Sequence, residues 1–195
     1  MNLKQPGIVA GVSNKHLHLS QKDLEALFGE GYELHPIKDL GQPGQYAAEE
    51  IVDLVGPKGT IAKVRVLGPV RKDTQIEVAY TDSFKLGVQP PVRDSGDVEG
   101  TPGLKLVGPK GEVEINQGVI IAKRHIHMHT KDAEHYGLKD KDIVSVFIDS
   151  ESRKTIFQDV LIRVSDKYAL EFHVDTDEAN ACQLKNKDLI YIIEE

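Results

Sequence analysis

The chain of 195 residues contains a single cysteine, Cys182. That count excludes an internal disulfide and a cysteine-rich zinc centre, and it fits a reducing compartment. Cys182 itself reads as a small packed hydrophobe. Positive charge is not in surplus: 24 Lys and Arg against 31 Asp and Glu leave a net charge of -7. General nucleic-acid binding needs a basic footprint, so it is not expected here. No apolar run approaches the roughly 18 residues that cross a bilayer, and the N-terminus lacks the charged-then-apolar order of a secretory signal. No membrane association is expected, and the protein reads as cytoplasmic. Helical periodicity is scarce too.

What the chain has in quantity is short strands broken by Gly and Pro. They are expected over 8 to 12, 50 to 55, 60 to 66, 75 to 80, 105 to 107, 112 to 115, 119 to 122, 143 to 148, 155 to 164, 169 to 174 and 189 to 193. Many β-branched strands at such spacing read as barrels or sandwiches, so the fold class is mainly β with a few short helices. The best helix is Gln21 to Phe28, with Ser20 as N-cap, Asp23 at the capping-box position and Gly29 after its end. Thr130 is expected to cap a second from Lys131 to Tyr136. Asp175 or Thr176 is expected to cap a third, through Gln183.

Two histidine pairs of one form stand out, His16-Leu17-His18 and His125-Ile126-His127. In a strand, residues i and i+2 share a face, so each pair can present two imidazoles to one metal while Leu17, Leu19, Ile126 and Met128 turn away. Imidazole suits zinc, and a catalytic zinc site takes three protein ligands plus an open position, so each pair lacks one. Candidates for the missing ligand are Glu77, in Gln75-Ile76-Glu77-Val78, and His173, in Glu171-Phe172-His173-Val174. Glu77 also fits an ordinary solvent-facing carboxylate. His129 lies at i+2 again from His127, as a spare ligand or as a helix-entry residue.

Arg71, Arg124 and Arg163 can hold an anion in a bidentate fork or stabilise an oxyanion, or each can be a surface ion-pair partner. The loop Gly41-Gln42-Pro43-Gly44-Gln45 offers backbone N–H groups and two amides to a phosphate, or is simply a turn. Two echoes point to a duplicated architecture. Leu54-Val55-Gly56-Pro57-Lys58-Gly59 recurs unchanged as Leu106 to Gly111, and the histidine pairs recur with Lys-Asp after them. The turns are 52 residues apart (Leu54 to Leu106) and the histidines 109 apart (His16 to His125), which is no simple tandem repeat.

Five segments taken together resemble the PduL-type phosphotransacylases, also called phosphate propanoyltransferases. They are Ser13 to Ser20, Gly44 to Glu50, Val66 to Arg71, Arg124 to Met128 and His173 to Asn180, and the likeness runs from about Gly7 to the C-terminus. The resemblance implies reversible transfer of a short acyl group, acetyl or propanoyl, between coenzyme A and inorganic phosphate, with acyl phosphate as the other product. It implies two Zn2+ per chain at the interface of two small β-barrels, residues 1–14 plus 123–195 and residues 15–122. His16, His18 and Glu77 would hold one zinc, and His125, His127 and His173 the other. Arg71 would be catalytic, with Gln42, Gln45, Gln75, Ser95 and Arg163 around the phosphate. Ser13, Lys38, Arg65, Leu67, Phe84 and Asn180 would line the coenzyme A site, Phe84 against the adenine.

After His127-Met128 this chain has His129-Thr130, where the family usually has a small polar residue and proline. Members housed in bacterial microcompartments carry an N-terminal amphipathic extension as encapsulation peptide. Here only Met1 to Pro6 precede the first expected strand, so a free cytoplasmic enzyme is implied. The family also implies a homodimer. Rival readings of the same residues are a dizinc thioesterase or phosphoesterase that uses water in place of phosphate, and a non-catalytic metal-binding barrel.

Overall fold

A computed structural model describes residues 2–194; Met1 and Glu195, which the expected domain limits include, lie outside the described residues. In chain order these residues form β1 (Ile8–Ser13), β2 (His16–His18), α1 (Gln21–Phe28), β3 (Pro36–Asp39), β4 (Tyr46–Val55), β5 (Thr60–Gly68), β6 (Gln75–Glu77) and α2 (Tyr80–Leu86). Then come β7 (Val92–Arg93), β8 (Lys105–Val107), β9 (Glu112–Glu114), β10 (Val119–Ala122), β11 (His125–Met128), α3 (Thr130–Tyr136), β12 (Ile143–Ile148), β13 (Thr155–Val164), β14 (Glu171–Asp175), α4 (Thr176–Cys182) and β15 (Leu189–Ile192).

The chain divides into two compact units, Met1–Ser13 with Gly41–Pro43 and Lys123–Glu195, and Asn14–Leu40 with Gly44–Ala122. In the first, six strands close into a barrel in the order β1-β14-β11-β13-β12-β15. In the second, nine strands make a half-barrel sheet, β7-β10-β6-β2-β5-β4-β8-β9, with β3 beside β4. The protein is therefore mainly β with short helices. Each unit has its own apolar core. Ile126, Met128, Phe172 and Val174 are central to the first, and Leu17, Leu19, Leu24, Leu54 and Ile76 to the second. Leu17, Leu19, Ile126 and Met128 are completely buried, as the alternation of the histidine strands requires.

The two units repeat one order of elements: β2-α1-β4-β5-β6-α2 and β11-α3-β12-β13-β14-α4. Their pairing repeats as well. The histidine strand runs antiparallel to the fifth element (β6, β14) and parallel to the fourth (β5, β13). Insertion of β3 and unequal loops hide this in the raw spacing. The hexapeptide echo has a different origin. Its turns close the hairpins β4-β5 and β8-β9, and each lies against the end of a helix. Lys58 N–H donates to the Leu86 carbonyl of α2 at 3.1 Å, and Lys110 N–H to the Leu27 carbonyl of α1 at 3.0 Å. These turns supply donors to carbonyls that a helix end leaves unpaired. Glycine is needed at their first corner, because a Cβ on Gly56 would sit 2.1 Å from the Leu86 oxygen and one on Gly108 2.6 Å from the Leu27 oxygen.

The caps follow local chemistry. Ser20 Oγ accepts the Asp23 N–H at 3.2 Å and opens α1. Replacing Ser20 by Ala should cost about 1 kcal/mol of stability, checked by denaturant unfolding at an unchanged m-value. At α3 the cap is His129 rather than Thr130: His129 Nδ1 accepts the Lys131 N–H at 3.1 Å, and Asp132 accepts the His129 N–H. His129 is thus the helix-entry residue, and Thr130 is the first residue of the helix. Asp175 caps α4 by accepting the Glu178 N–H at 2.9 Å.

The expected strand from 75 to 80 is corrected. It stops at Glu77, and Tyr80 begins α2, whose N-cap Ala79 has no side chain able to accept a bond. Among the described residues no helix is long and apolar enough to cross a membrane.

Candidate active site

In the second unit, the β2-β6 register sets His16 directly opposite Glu77 and His18 opposite Gln75. One ligand atom from each of His16, His18 and Glu77 lies within 4.8 Å of the other two. His16 Nδ1 is 2.8 Å from the Asn14 carbonyl and His18 Nδ1 3.1 Å from the Leu67 carbonyl. A carbonyl only accepts, so each Nδ1 carries its proton and each Nε2 keeps its lone pair, the arrangement that outer partners impose on metal-binding histidines.

Burial opposes protonation of His16, but the Glu77 carboxylate 3.4 Å away outweighs it and raises the imidazole's pKa. Burial, with Arg71 and His16 beside it, lowers His18 to about 3, so that ring is neutral at physiological pH. Burial would push Glu77 up, yet His16, by charge and by hydrogen bond, and the Arg71 guanidinium hold its carboxyl well below the usual carboxylate range. A half-buried carboxylate beside two buried imidazoles is a site that attracts a cation.

Glu77 is tied further. Gln75 Nε2 donates to Glu77 Oε1 at 2.6 Å and to Ser95 Oγ at 2.8 Å, and Ser95 Oγ donates to Glu77 Oε1 at 3.0 Å. Arg71 reaches Ser95 Oγ at 3.1 Å. Arg71, Ser95, Gln75 and Glu77 therefore form one continuous polar chain, half-buried at its arginine end.

In the first unit the arrangement recurs on other strands. β11 and β14 pair with His125 opposite His173 and His127 opposite Glu171, while parallel β13 sets Arg163 beside His127. Ligand atoms of His125, His127 and His173 also fall within 4.8 Å of one another. His125 Nδ1 is 2.7 Å from the Lys123 carbonyl, which again leaves Nε2 for a metal. His173 Nε2 is buried and makes no aligned hydrogen bond, although Glu171 Oε2 is 3.1 Å away. Three imidazoles here and two imidazoles with a carboxylate in the other unit are both donor sets that zinc takes, so the residues present fit the metal.

Arg163 touches Tyr168, whose hydroxyl is 3.3 Å from its NH2, and the Tyr168 ring lies 4.3 Å from that of His127. Gln42 is buried and its amide is fully engaged. Its Nε2 donates to the Ala169 carbonyl at 3.0 Å and to Glu171 Oε2 at 3.1 Å, while its Oε1 accepts the Ala169 N–H. Gln45 is half-buried just before β4, and its carbonyl accepts the Leu40 N–H.

Among the residues expected at coenzyme A, Leu67 and Arg65 lie on β5 next to the first histidine pair. Arg65 NH1 donates to the Ala48 and Glu49 carbonyls. Phe84 is 64% exposed on α2, edge-on to Tyr80 at 4.9 Å, a free aromatic face of the kind that stacks on a base. Ser13 ends β1, Lys38 is exposed on β3, and Asn180 is exposed on α4. Arg124 is an ion-pair partner, with its Nε 2.9 Å from Glu178 Oε1. Burial, together with Asp175, lifts Glu178 to about 6 in spite of that arginine. Glu171 and Tyr168 were not read as site residues from the sequence. The signal for Glu171 was its place two residues before His173, on the same strand face.

Two units of a mainly β chain each carry three residues that could hold a metal ion, and one set is joined to an arginine, an arrangement that suits the class of group-transfer and hydrolytic enzymes. The family model for phosphate propanoyltransferase matches residues 9–185. The chain is 68% identical over 191 residues to a phosphate propanoyltransferase of Thermotoga maritima, covering 98% of this chain and 91% of that one. It is 51% identical to that of Rhodopseudomonas palustris (95% and 81% covered) and 50% identical to that of Clostridioides difficile (92% and 85%). The chain belongs to the phosphate propanoyltransferase family, and it is a phosphotransacylase.

Proposed function

We propose that the protein transfers a short acyl group reversibly between coenzyme A and inorganic phosphate at two zinc ions, one held by His16, His18 and Glu77 and the other by His125, His127 and His173. The observation that carries this reading is the polar chain from Arg71 through Ser95 and Gln75 to Glu77, which joins an anion-binding group to a metal-binding set. Zinc bound in these sets would supply Lewis acidity, lowering the pKa of the coenzyme A thiol so that it leaves as thiolate.

In the forward direction a phosphate oxygen attacks the thioester carbonyl, the carbonyl oxygen takes up negative charge, and the C–S bond then breaks to give acyl phosphate and thiolate. Arg71 donates to that developing oxyanion, while Ser95 and Gln75 orient the guanidinium and accept or donate to phosphate oxygens. No side chain need act as nucleophile, so no acyl-enzyme forms. Arg163 and Gln45 are assigned to phosphate, and Ser13, Lys38, Arg65, Leu67, Phe84 and Asn180 to coenzyme A. Gln42, with both amide hydrogens and its oxygen committed to Ala169 and Glu171, is better suited to holding its loop than to binding phosphate.

The proposal extends to a homodimer in the cytoplasm, checked for the oligomer by sedimentation. The deciding assay follows coenzyme A release from acetyl-, propanoyl- and butanoyl-CoA with and without phosphate. Release is expected to depend on phosphate and to yield acyl phosphate. Equal rates without phosphate would establish a thioesterase instead.

A further inference from the structure

The metal-binding sets differ in charge: Glu77 makes the first anionic, whereas His125, His127 and His173 are all neutral donors. The structure repeats one position beside both. Gln75 faces His18 across the β2-β6 ladder, and Glu171 faces His127 across the β11-β14 ladder. Each is two residues before the third ligand and on its strand face. Where that ligand is a carboxylate, the neighbour is a neutral amide that donates to it at 2.6 Å. Where that ligand is an imidazole, the neighbour is a carboxylate, with Oε2 3.1 Å from His173 Nε2.

Glu171 also sits in a space shaped for its carboxylate. Gln42 Nε2 donates to Oε2 at 3.1 Å. Two glycines flank the group: a Cβ on Gly41 would stand 2.3 Å from Oε2, and one on Gly11 2.8 Å from Oε1. A side chain at either position would displace the carboxylate.

We propose that Glu171 is the positioning residue of the second metal site: clamped by Gln42, Gly11 and Gly41, its carboxylate orients His173 and supplies the negative charge that the three-histidine set lacks. The inference rests on the proposed ligand set. Each unit then presents one carboxylate to its metal, directly in one case and through His173 in the other. A positive charge surrounded only by neutral donors in a partly buried site gains from an adjacent anion, and partners of this kind are worth about 10- to 100-fold in metal affinity.

The test is zinc competition against a chromogenic chelator, together with the visible spectrum of the Co2+-substituted protein, on the full chain. Wild type is expected to bind two ions. Glu171→Gln, which keeps shape and removes charge, should weaken one of them by about 10- to 100-fold and alter its Co2+ bands, leaving the other unchanged. Glu171→Asp, which keeps the charge, should recover most of that affinity, a pattern a packing role would not give. Gly41→Ala should reproduce the Gln effect by pushing the carboxylate aside, and it serves if Glu171→Gln does not fold. Two ions held with wild-type affinity and wild-type spectra in both Glu171→Gln and Gly41→Ala would overturn the inference. Wild-type protein that binds no zinc would instead overturn the ligand set on which it stands.

Discussion

Arg71→Ala is expected to lower kcat by about 100- to 1,000-fold, the loss seen when one well-placed oxyanion donor is removed from a site that excludes water, or about 3 to 4 kcal/mol of transition-state stabilisation. The guanidinium acts on charge that appears only as phosphate attacks, so kcat should fall more than KM rises. Metal content should stay at the wild-type value, since Arg71 belongs to neither three-residue set and is linked to Glu77 by hydrogen bonds through Ser95. Steady-state kinetics with elemental analysis of the same preparations checks both halves. Wild-type turnover in the variant would exclude Arg71 from the chemistry, and a loss of zinc would make its role structural.

Removing a metal ligand should be more damaging still. His16→Ala and His125→Ala are each expected to reduce bound zinc from about two ions per chain to about one and to abolish measurable transfer, because two remaining donors do not hold zinc against solvent. A chelator should do the same to the wild type, with activity restored by added zinc. Since a bound ion stabilises the folded state by mass action, each variant should also lose the rise in Tm that zinc gives its own unit. Full occupancy in both variants would rule out the ligand sets.

Glu77 and His173 show how much of the site could be read before the fold was known. Both were visible as candidates, because each sits in an alternating strand where residue types that ligate zinc are limited. Neither spacing nor composition could say which strand lies beside which. The register did: His16 meets Glu77 and His125 meets His173 across antiparallel neighbours, the same cross-strand position in both units. Gln42 shows the opposite case. A glutamine in a Gly-Pro loop suggests phosphate, yet its amide is spent on Ala169 and Glu171, 127 and 129 residues further along the chain. The helix α2 escaped for a local reason, since the alternation of Ile76, Val78 and Tyr80 imitates a strand and Ala79 offers no cap signal.

Short-range chemistry was thus determined by the sequence alone. The period-2 histidine pairs with their buried Leu and Ile partners and the Ser20 and Asp175 caps all depend on residues a few positions apart. Tertiary structure alone decided the partners. It set Glu77 opposite His16 and His173 opposite His125, it committed the Gln42 amide to Ala169 and Glu171, and it brought Glu171 Oε2 to 3.1 Å from His173 Nε2. Those choices depend on strand order and register, which are settled by burying two separate apolar cores and are not written in any one segment.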